Sequence, residues 1–108
     1  MVLAMDVGSS PSKDFSKDYQ YGALSFEIFS NKKKLITNSG YFSDKRNRLN
    51  KLCRSTALHS TLVIEDYSSC SSKKVKNNIF IERGLKVLKK NIVFEKNYWR
   101  ITGSHDGY

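Results

Sequence analysis

Apolar residues occur in short runs separated by clusters of glycine, serine, asparagine and lysine, a pattern typical of strands and turns. Leu24, Phe26 and Ile28 alternate with mostly polar neighbours, which predicts a strand with one apolar face. The polar residues 30–33 then predict a turn, after which apolar residues return. Residues 23–38 are therefore predicted to form a β-hairpin.

The remaining apolar runs are shorter, and each predicts one further strand. They lie at residues 2–7, 61–64, 79–81, 85–88, 91–95 and 98–102. Residues 41–52 lack a clean period and are predicted to form a long surface loop with a short helical turn. Residues 65–78 contain a serine cluster that favours a solvated linker.

These elements together predict an all-β fold, either an antiparallel β-sandwich or a meander. The chain of 108 residues has room for one domain, and its 39% hydrophobic content predicts a modest core. Both ends interrupt strand-like or turn-like segments. We therefore expect residues 1–108 to be a truncated part of a larger β-domain that folds only marginally alone.

Positive charge is concentrated in one stretch of the chain. The net charge is +9, and residues 31–54 contain eight basic residues and one acidic residue. Such a concentration attracts polyanions, namely acidic polysaccharide, nucleic acid or anionic lipid headgroups. The alternative is a lysine-rich composition with a solvated surface and no particular partner.

Motifs for independent enzyme chemistry are missing from the sequence. There is no glycine-rich phosphate loop, no HExxH helix and no GxSxG elbow. Cys53 and Cys70 are too few for a zinc ribbon, and they predict either two free thiols or one disulfide. No stretch approaches the roughly 18 apolar residues of a membrane span.

Three segments resemble the C-terminal β-domain of heparinase II/III-like proteins. They are Gly22 to Glu27 (GALSFE), Asn38 to Gly40 (NSG) and Arg54 to Ile64 (RSTALHSTLVI). That domain typically has a small residue before Leu-Ser-Phe, an Asp or Asn shortly before Gly, and a Ser/Thr-Ala-x-His-Asn/Ser-Thr segment. The end of the chain, Ser104 to Tyr108, is similar to a turn that recurs in bacterial members.

The resemblance implies a polysaccharide lyase in which an N-terminal α-helical toroid precedes a β-sandwich region. Such enzymes cleave uronic-acid-containing polysaccharides by β-elimination, and most of their catalytic groups come from the toroid. We therefore assign no catalytic residue here and expect no turnover from the isolated chain. The compartment stays open, although a signal peptide on the parent enzyme would place it in the periplasm or cell envelope.

The resemblance also implies a candidate metal ligand. Some family members bind a metal through an upstream histidine, an acidic residue before the glycine, and the histidine that corresponds to His59. Gln20 and Asn38 stand at the first two positions, so His59 is the one family-like ligand that remains, with zinc as the candidate ion. The alternative is a partly buried imidazole bonded to a backbone carbonyl.

An acidic polysaccharide is the expected partner of the basic loop, with Arg54 predicted to lie nearest the cleft. The predicted substrate-binding residues are Lys45, Arg46, Arg48, Lys51 and Arg54. The alternative function is a stand-alone basic β module that binds nucleic acid or another polyanion. It predicts aromatic side chains exposed on a sheet face. Against that alternative, the strongest apolar alternation has the pattern of a core face, and there is no RNA-binding signature.

Overall fold

Seven strands, all paired antiparallel, and one short α-helix form the regular structure of this computed structural model, which describes all 108 residues. The strands are β1 (Val2–Met5), β2 (Phe26–Ser30), β3 (Lys33–Ile36), β4 (Ser71–Val75), β5 (Asn78–Arg83), β6 (Val87–Phe94) and β7 (Trp99–His105). The helix α1 is Arg48–Arg54, and 3-10 turns lie at Lys13–Phe15 and Thr56–Leu58. The prediction of an all-β antiparallel fold is confirmed. None of the helices has the length and apolar character needed to cross a bilayer.

The strands form a three-stranded sheet, β1-β2-β3, and two separate hairpins, β4-β5 and β6-β7. The predicted first hairpin is confirmed, and its tip holds Asn31 and Lys32 at φ values of 50° and 62°. Two successive left-handed residues give a hairpin turn whose twist matches that of its strands. The strand begins at Phe26 and not at Leu24, because Leu24 has a φ of 59° in a turn closed by Ser25 N–H and Gly22 O.

Three sequence predictions of local structure were wrong. Residues 61–64 form no strand, and only an isolated bridge joins Ile64 to Tyr67. The Thr61 hydroxyl instead donates to the Ala23 carbonyl at 2.8 Å, which ties this segment to the first hairpin by its side chain. The predicted linker at 65–78 contains β4, which pairs with β5 along its length. The two predicted strands at 85–88 and 91–95 are largely one continuous strand, β6.

The core is small, and polar side chains fill much of it. The buried apolar residues are Tyr21, Ala23, Cys70, Ile81 and Leu85, and the buried polar ones are Ser16, Ser25, Asn50, Arg54, Thr56 and Ser69. Their hydroxyls join segments that are far apart in sequence. Ser16 Oγ donates to Lys13 O and accepts from Ile81 N–H at 2.8 Å. Thr56 Oγ1 donates to Tyr21 O at 2.8 Å and accepts from Ser69 N–H at 2.9 Å.

Arg54 is the largest side chain in this buried centre, with 1% of its surface exposed. Its Nε donates to Asn50 Oδ1 at 3.0 Å, one helical turn earlier. Nη1 donates to the carbonyl of Tyr19 at 3.2 Å, and Nη2 to that of Lys17 at 2.7 Å. A buried cation is tolerated only when its donors are satisfied in this way. The guanidinium thus fastens α1 to the segment that precedes the first hairpin.

Both cysteines are free thiols, so the disulfide alternative is not realised in this structure. Cys70 is buried and Cys53 half-buried. Burial raises the pKa of the Cys70 thiol to about 11. The Cys70 side chain therefore stays protonated at neutral pH and behaves as a small apolar core residue.

Large apolar side chains on one face of the far half of the β6-β7 hairpin are exposed. The cross-strand partners Phe94 and Trp99 are 79% and 44% exposed, and Ile92 is 45% exposed. The base of the hairpin is anchored, because Val87 N–H donates to Ser9 Oγ at 2.9 Å. Gly103 lies so close to Leu24 that a Cβ on it would meet the leucine side chain at 2.6 Å.

Replacing the buried guanidinium should destabilise the fold strongly. In Arg54→Met, the carbonyls of Lys17 and Tyr19 and the Asn50 side chain lose their donor while staying buried or partly buried. We expect the free energy of unfolding to fall by about 3 kcal/mol. Chemical denaturation of both chains measures the difference. The control is Arg46→Met, because the Arg46 side chain is 91% exposed and should contribute almost nothing. Equal stability of the two variants would show that Arg54 is not required.

Candidate functional site

The three family-like segments meet at one polar cleft of about 380 Å³. Its lining residues come from the end of β1, the turn before β2, the first hairpin and the residues after it, and the segment after α1. They are Asp6, Gln20, Gly22, Ser25, Glu27, Asn38, Gly40, Tyr41 and His59. Gln20, Asn38 and His59, which the resemblance aligns with metal-ligand positions, all lie here. The fold thus brings these three positions to one cleft.

Asn38 joins the first hairpin to the segment that contains His59. Its Oδ1 accepts from Ser60 N–H at 2.8 Å and lies 3.1 Å from Ser60 Oγ, while its Nδ2 donates to Ser25 Oγ at 3.3 Å. Ser60 Oγ also accepts from Phe26 N–H at 3.0 Å. These bonds replace the strand pairing that the sequence predicted for residues 61–64.

The His59 ring is oriented by the end of α1 and by a glycine. His59 Nδ1 lies 2.8 Å from Ser55 O, and a carbonyl only accepts, so Nδ1 carries the proton. The other ring nitrogen, Nε2, lies 3.3 Å from the carboxamide oxygen Oε1 of Gln20, and in a neutral ring Nε2 carries a lone pair. A half-turn of that amide presents its N–H to the lone pair. A Cβ on Gly22 would meet His59 Cδ2 at 2.5 Å, so only glycine leaves room for this ring position.

Two carboxylates in the cleft were not identified from the sequence. Asp6 and Glu27 both line it, and each accepts backbone N–H donors. The N–H of Asn38 and the hydroxyl of Thr37 hold the pKa of Glu27 below its ordinary value, so it is ionised at neutral pH. Glu27 ends the first family-like segment, but no spacing in the sequence marks it or Asp6 as a site residue. Only the folding of β1 against β2 brings them together.

The donors in this cleft do not fit a tight zinc site. His59 has the arrangement that metal-bound imidazoles adopt, with one nitrogen bonded to a carbonyl and the other facing the cleft residue Gln20. Zinc, however, prefers imidazole, thiolate and carboxylate, and the other two family positions are carboxamides here. Asn38 Oδ1 is already bonded to Ser60. No three His, Cys, Asp or Glu side chains come close enough together to hold a metal ion.

Four of the five predicted substrate-binding residues lie toward solvent. Arg46, Arg48 and Lys51 are exposed, and Lys45 is partly buried, with its Nζ 3.2 Å from Asp18 Oδ1. Arg48 and Lys51 line a groove of about 460 Å³ along α1. Arg54 differs because its guanidinium is buried and bonded within the protein, as described above. Its role in substrate binding stays a prediction that this conformation does not favour.

Lys74 is a basic residue that the sequence reasoning missed. It lies with Lys45 and Arg46 around an entirely polar cleft of about 400 Å³, formed by the loop before α1 and the β4-β5 turn. The sequence placed Lys74 in a solvated linker, far from the basic loop. The pairing of β4 with β5 brings it to that loop.

Adding one methyl group at Gly22 should displace the His59 ring. In Gly22→Ala the new Cβ overlaps Cδ2, so we expect loss of the bond to Ser55 O and a stability loss of about 1–3 kcal/mol. The imidazole resonances in NMR spectra report the ring position. Gly8→Ala is the control, because a Cβ there makes only ordinary contact at 3.4 Å with Asp6. An unchanged His59 environment in Gly22→Ala would contradict the tight fit.

Comparison with known proteins agrees with this geometry. The family described as Heparinase II/III-like, C-terminal, matches residues 1–108, the whole chain. Neither the curated proteins nor the solved structures gave a match. The β-rich architecture fits a domain of that family. The chain therefore belongs to the heparinase II/III-like C-terminal domain family.

Proposed function

We propose that this chain forms one wall of the substrate cleft of a polysaccharide lyase that cleaves uronic-acid-containing polymers by β-elimination. Family membership supports a lyase domain. The observation that carries the finer proposal is the continuity between the His59 cleft and a basic surface. We define the basic surface as Lys45, Arg46, Arg48, Lys51 and Lys74.

Asp18 connects the two regions. Tyr41 lines the His59 cleft, and its hydroxyl donates to Asp18 Oδ1 at 3.0 Å, the same atom that pairs with Lys45 Nζ at 3.2 Å. Partial burial raises the pKa of Asp18, but the hydrogen bonds from Lys45 and Tyr41 outweigh it, so that pKa is lowered overall. Asp18 is therefore ionised at neutral pH and holds Lys45 at the edge of the cleft.

The basic surface suits an acidic polymer because its charges are accessible. Arginines pair with carboxylate or sulfate through two parallel hydrogen bonds, whereas lysines act as point charges. Arg46 and Arg48 are both exposed, and the one carboxylate close to Arg46 is Asp44, whose Oδ1 lies 3.8 Å from Arg46 Nε at the surface. The two carboxylates in the His59 cleft would repel a uronate, so the acidic groups of the polymer should lie along the basic surface.

The chemistry of β-elimination divides between this chain and the rest of the parent protein. The reaction needs the substrate carboxylate neutralised, a base for the proton beside it, and an acid for the leaving oxygen. We propose that this chain contributes binding and positioning and that the helical toroid supplies most of the catalytic groups.

A second candidate function, binding of single-stranded nucleic acid, is supported by the exposed aromatic side chains of β6-β7. Phe94, Tyr98 and Trp99 are 79%, 58% and 44% exposed, and Arg100 and Lys96 lie beside them. Exposed aromatics with nearby cations can stack on bases. The basic surface lies on a different part of the chain, and this separation allows the two functions to be tested independently.

Matched charge removal tests the proposed function. The variant Arg46→Gln, Arg48→Gln, Lys51→Gln should elute from immobilised heparin or alginate at clearly lower salt, because three exposed contacts to the polymer are lost. The control, Lys86→Gln, Lys89→Gln, Lys90→Gln, removes the same charge from exposed positions on another hairpin and should retain most of the binding. Equal losses in both variants would mean that total charge alone governs binding.

The nucleic-acid alternative has its own readout in the same set of proteins. Phe94→Ala with Trp99→Ala should leave heparin retention unchanged if the chain is a lyase domain. If the chain is a nucleic-acid module, that double variant should lose affinity for single-stranded DNA by about 1–3 kcal/mol per stacked base. Phe15→Ala with Tyr67→Ala is the matched control, because both residues are also highly exposed aromatics.

A further inference from the structure

We propose that this chain holds its three family-like segments together without a metal, through a hydrogen-bonded junction at the positions where a metal-binding relative would place its ligands. The junction consists of Gln20, Ser25, Asn38, His59 and Ser60. This inference is independent of the lyase proposal, because it concerns only how the cleft is assembled.

Asn38 connects the first hairpin to the segment that contains His59, as a bound metal ion would in a metal-binding relative. Its carboxamide has both a donor and an acceptor, and it uses the acceptor on Ser60 N–H and the donor on Ser25 Oγ. A carboxylate at the same position has acceptors only. The backbone N–H of Asn38 also donates to Glu27 Oε1 at 2.9 Å, so a second carboxylate here would stand beside an existing one. An amide is therefore the better residue for this junction.

Gln20 occupies the remaining position of the junction, next to the His59 ring. Gln20 Oε1 lies 3.3 Å from His59 Nε2, the atom that would bind a metal. When the amide is turned by 180°, its N–H donates to the Nε2 lone pair. The nearby carboxylates do not complete a ligand set with His59, because no three His, Cys, Asp or Glu side chains lie close enough together. Both carboxylates accept hydrogen bonds within the protein. Asp6 Oδ1 accepts from Gly8 N–H, and Glu27 Oε1 accepts from both Asn38 N–H and Thr37 Oγ1.

The wild-type chain gives the primary test, by zinc titration calorimetry and by thermal melting in EDTA and in zinc. A ligand that binds only the folded state raises its melting temperature. We expect no stoichiometric zinc binding at micromolar concentration and the same melting temperature in both solutions. Zinc binding that stabilises the wild type and disappears in His59→Ala would overturn the proposal.

Restoring the family's ligand types provides the second test. Gln20→His with Asn38→Asp places two imidazoles and a carboxylate in the cleft, a donor set that zinc binds. We expect this double variant to bind one zinc ion and to melt at higher temperature with zinc than with EDTA. The same variant with His59→Ala should lose that response. A folded double variant that binds no zinc would show that the three positions do not have ligand geometry.

The hydrogen-bonded junction itself is tested by Asn38→Ala. We expect the melting temperature to fall by about 5–10 °C, because Ser60 N–H and Ser25 Oγ lose a partner. The amide resonances of Phe26 and Ser60 should shift in the same variant. Asn91→Ala, at an exposed position of β6, should change neither quantity. An Asn38→Ala variant as stable as Asn91→Ala would overturn the junction, whatever the zinc results.

Discussion

The buried guanidinium of Arg54 fixes the relative positions of the segments that build the cleft. It bonds to two carbonyls of the segment before the first hairpin, and the Arg54 carbonyl accepts from Tyr21 N–H at 2.9 Å. Gln20 and Gly22 flank Tyr21, so both are placed by the same contacts. One residue after Arg54, the Ser55 carbonyl orients the His59 ring. The Arg54 side chain and the carbonyls of Arg54 and Ser55 therefore couple the end of α1 to Gln20, Gly22 and His59 in the cleft.

Hydroxyl groups extend this polar framework through the rest of the centre. With few large apolar residues buried, the chain relies on directional bonds from Ser16, Thr56 and Ser69, each of which satisfies a buried backbone group. Such bonds contribute modestly to net stability but are costly to leave unmade. These bonds therefore favour one arrangement of the segments over others, although each adds little net stability. In this way a small domain forms a defined cleft without a large apolar core.

The sequence predicted the features that depend on local pattern. Alternation and turn residues located the first hairpin, and the resemblance drew attention to Gln20, Asn38 and His59. Features that depend on tertiary contacts were missed. Ser69 belongs to a serine-rich stretch typical of a linker, yet its burial against Tyr21 and Thr56 can be seen only in the fold. Arg54 has the sequence context of a surface residue, and only its bonds to distant carbonyls explain its burial.

Native-state amide hydrogen exchange tests most directly whether this polar centre organises the fold. The account predicts that the amides of Tyr21, Ser69 and Ile81, which donate to Arg54 O, Thr56 Oγ1 and Ser16 Oγ, exchange slowest, at rates close to global unfolding. The amides of Val93 and Arg100 belong to the exposed hairpin and should exchange much faster. If the amides of β6-β7 exchanged slowest and those of Tyr21 and Ser69 exchanged rapidly, the claim that the polar centre organises the fold would be contradicted.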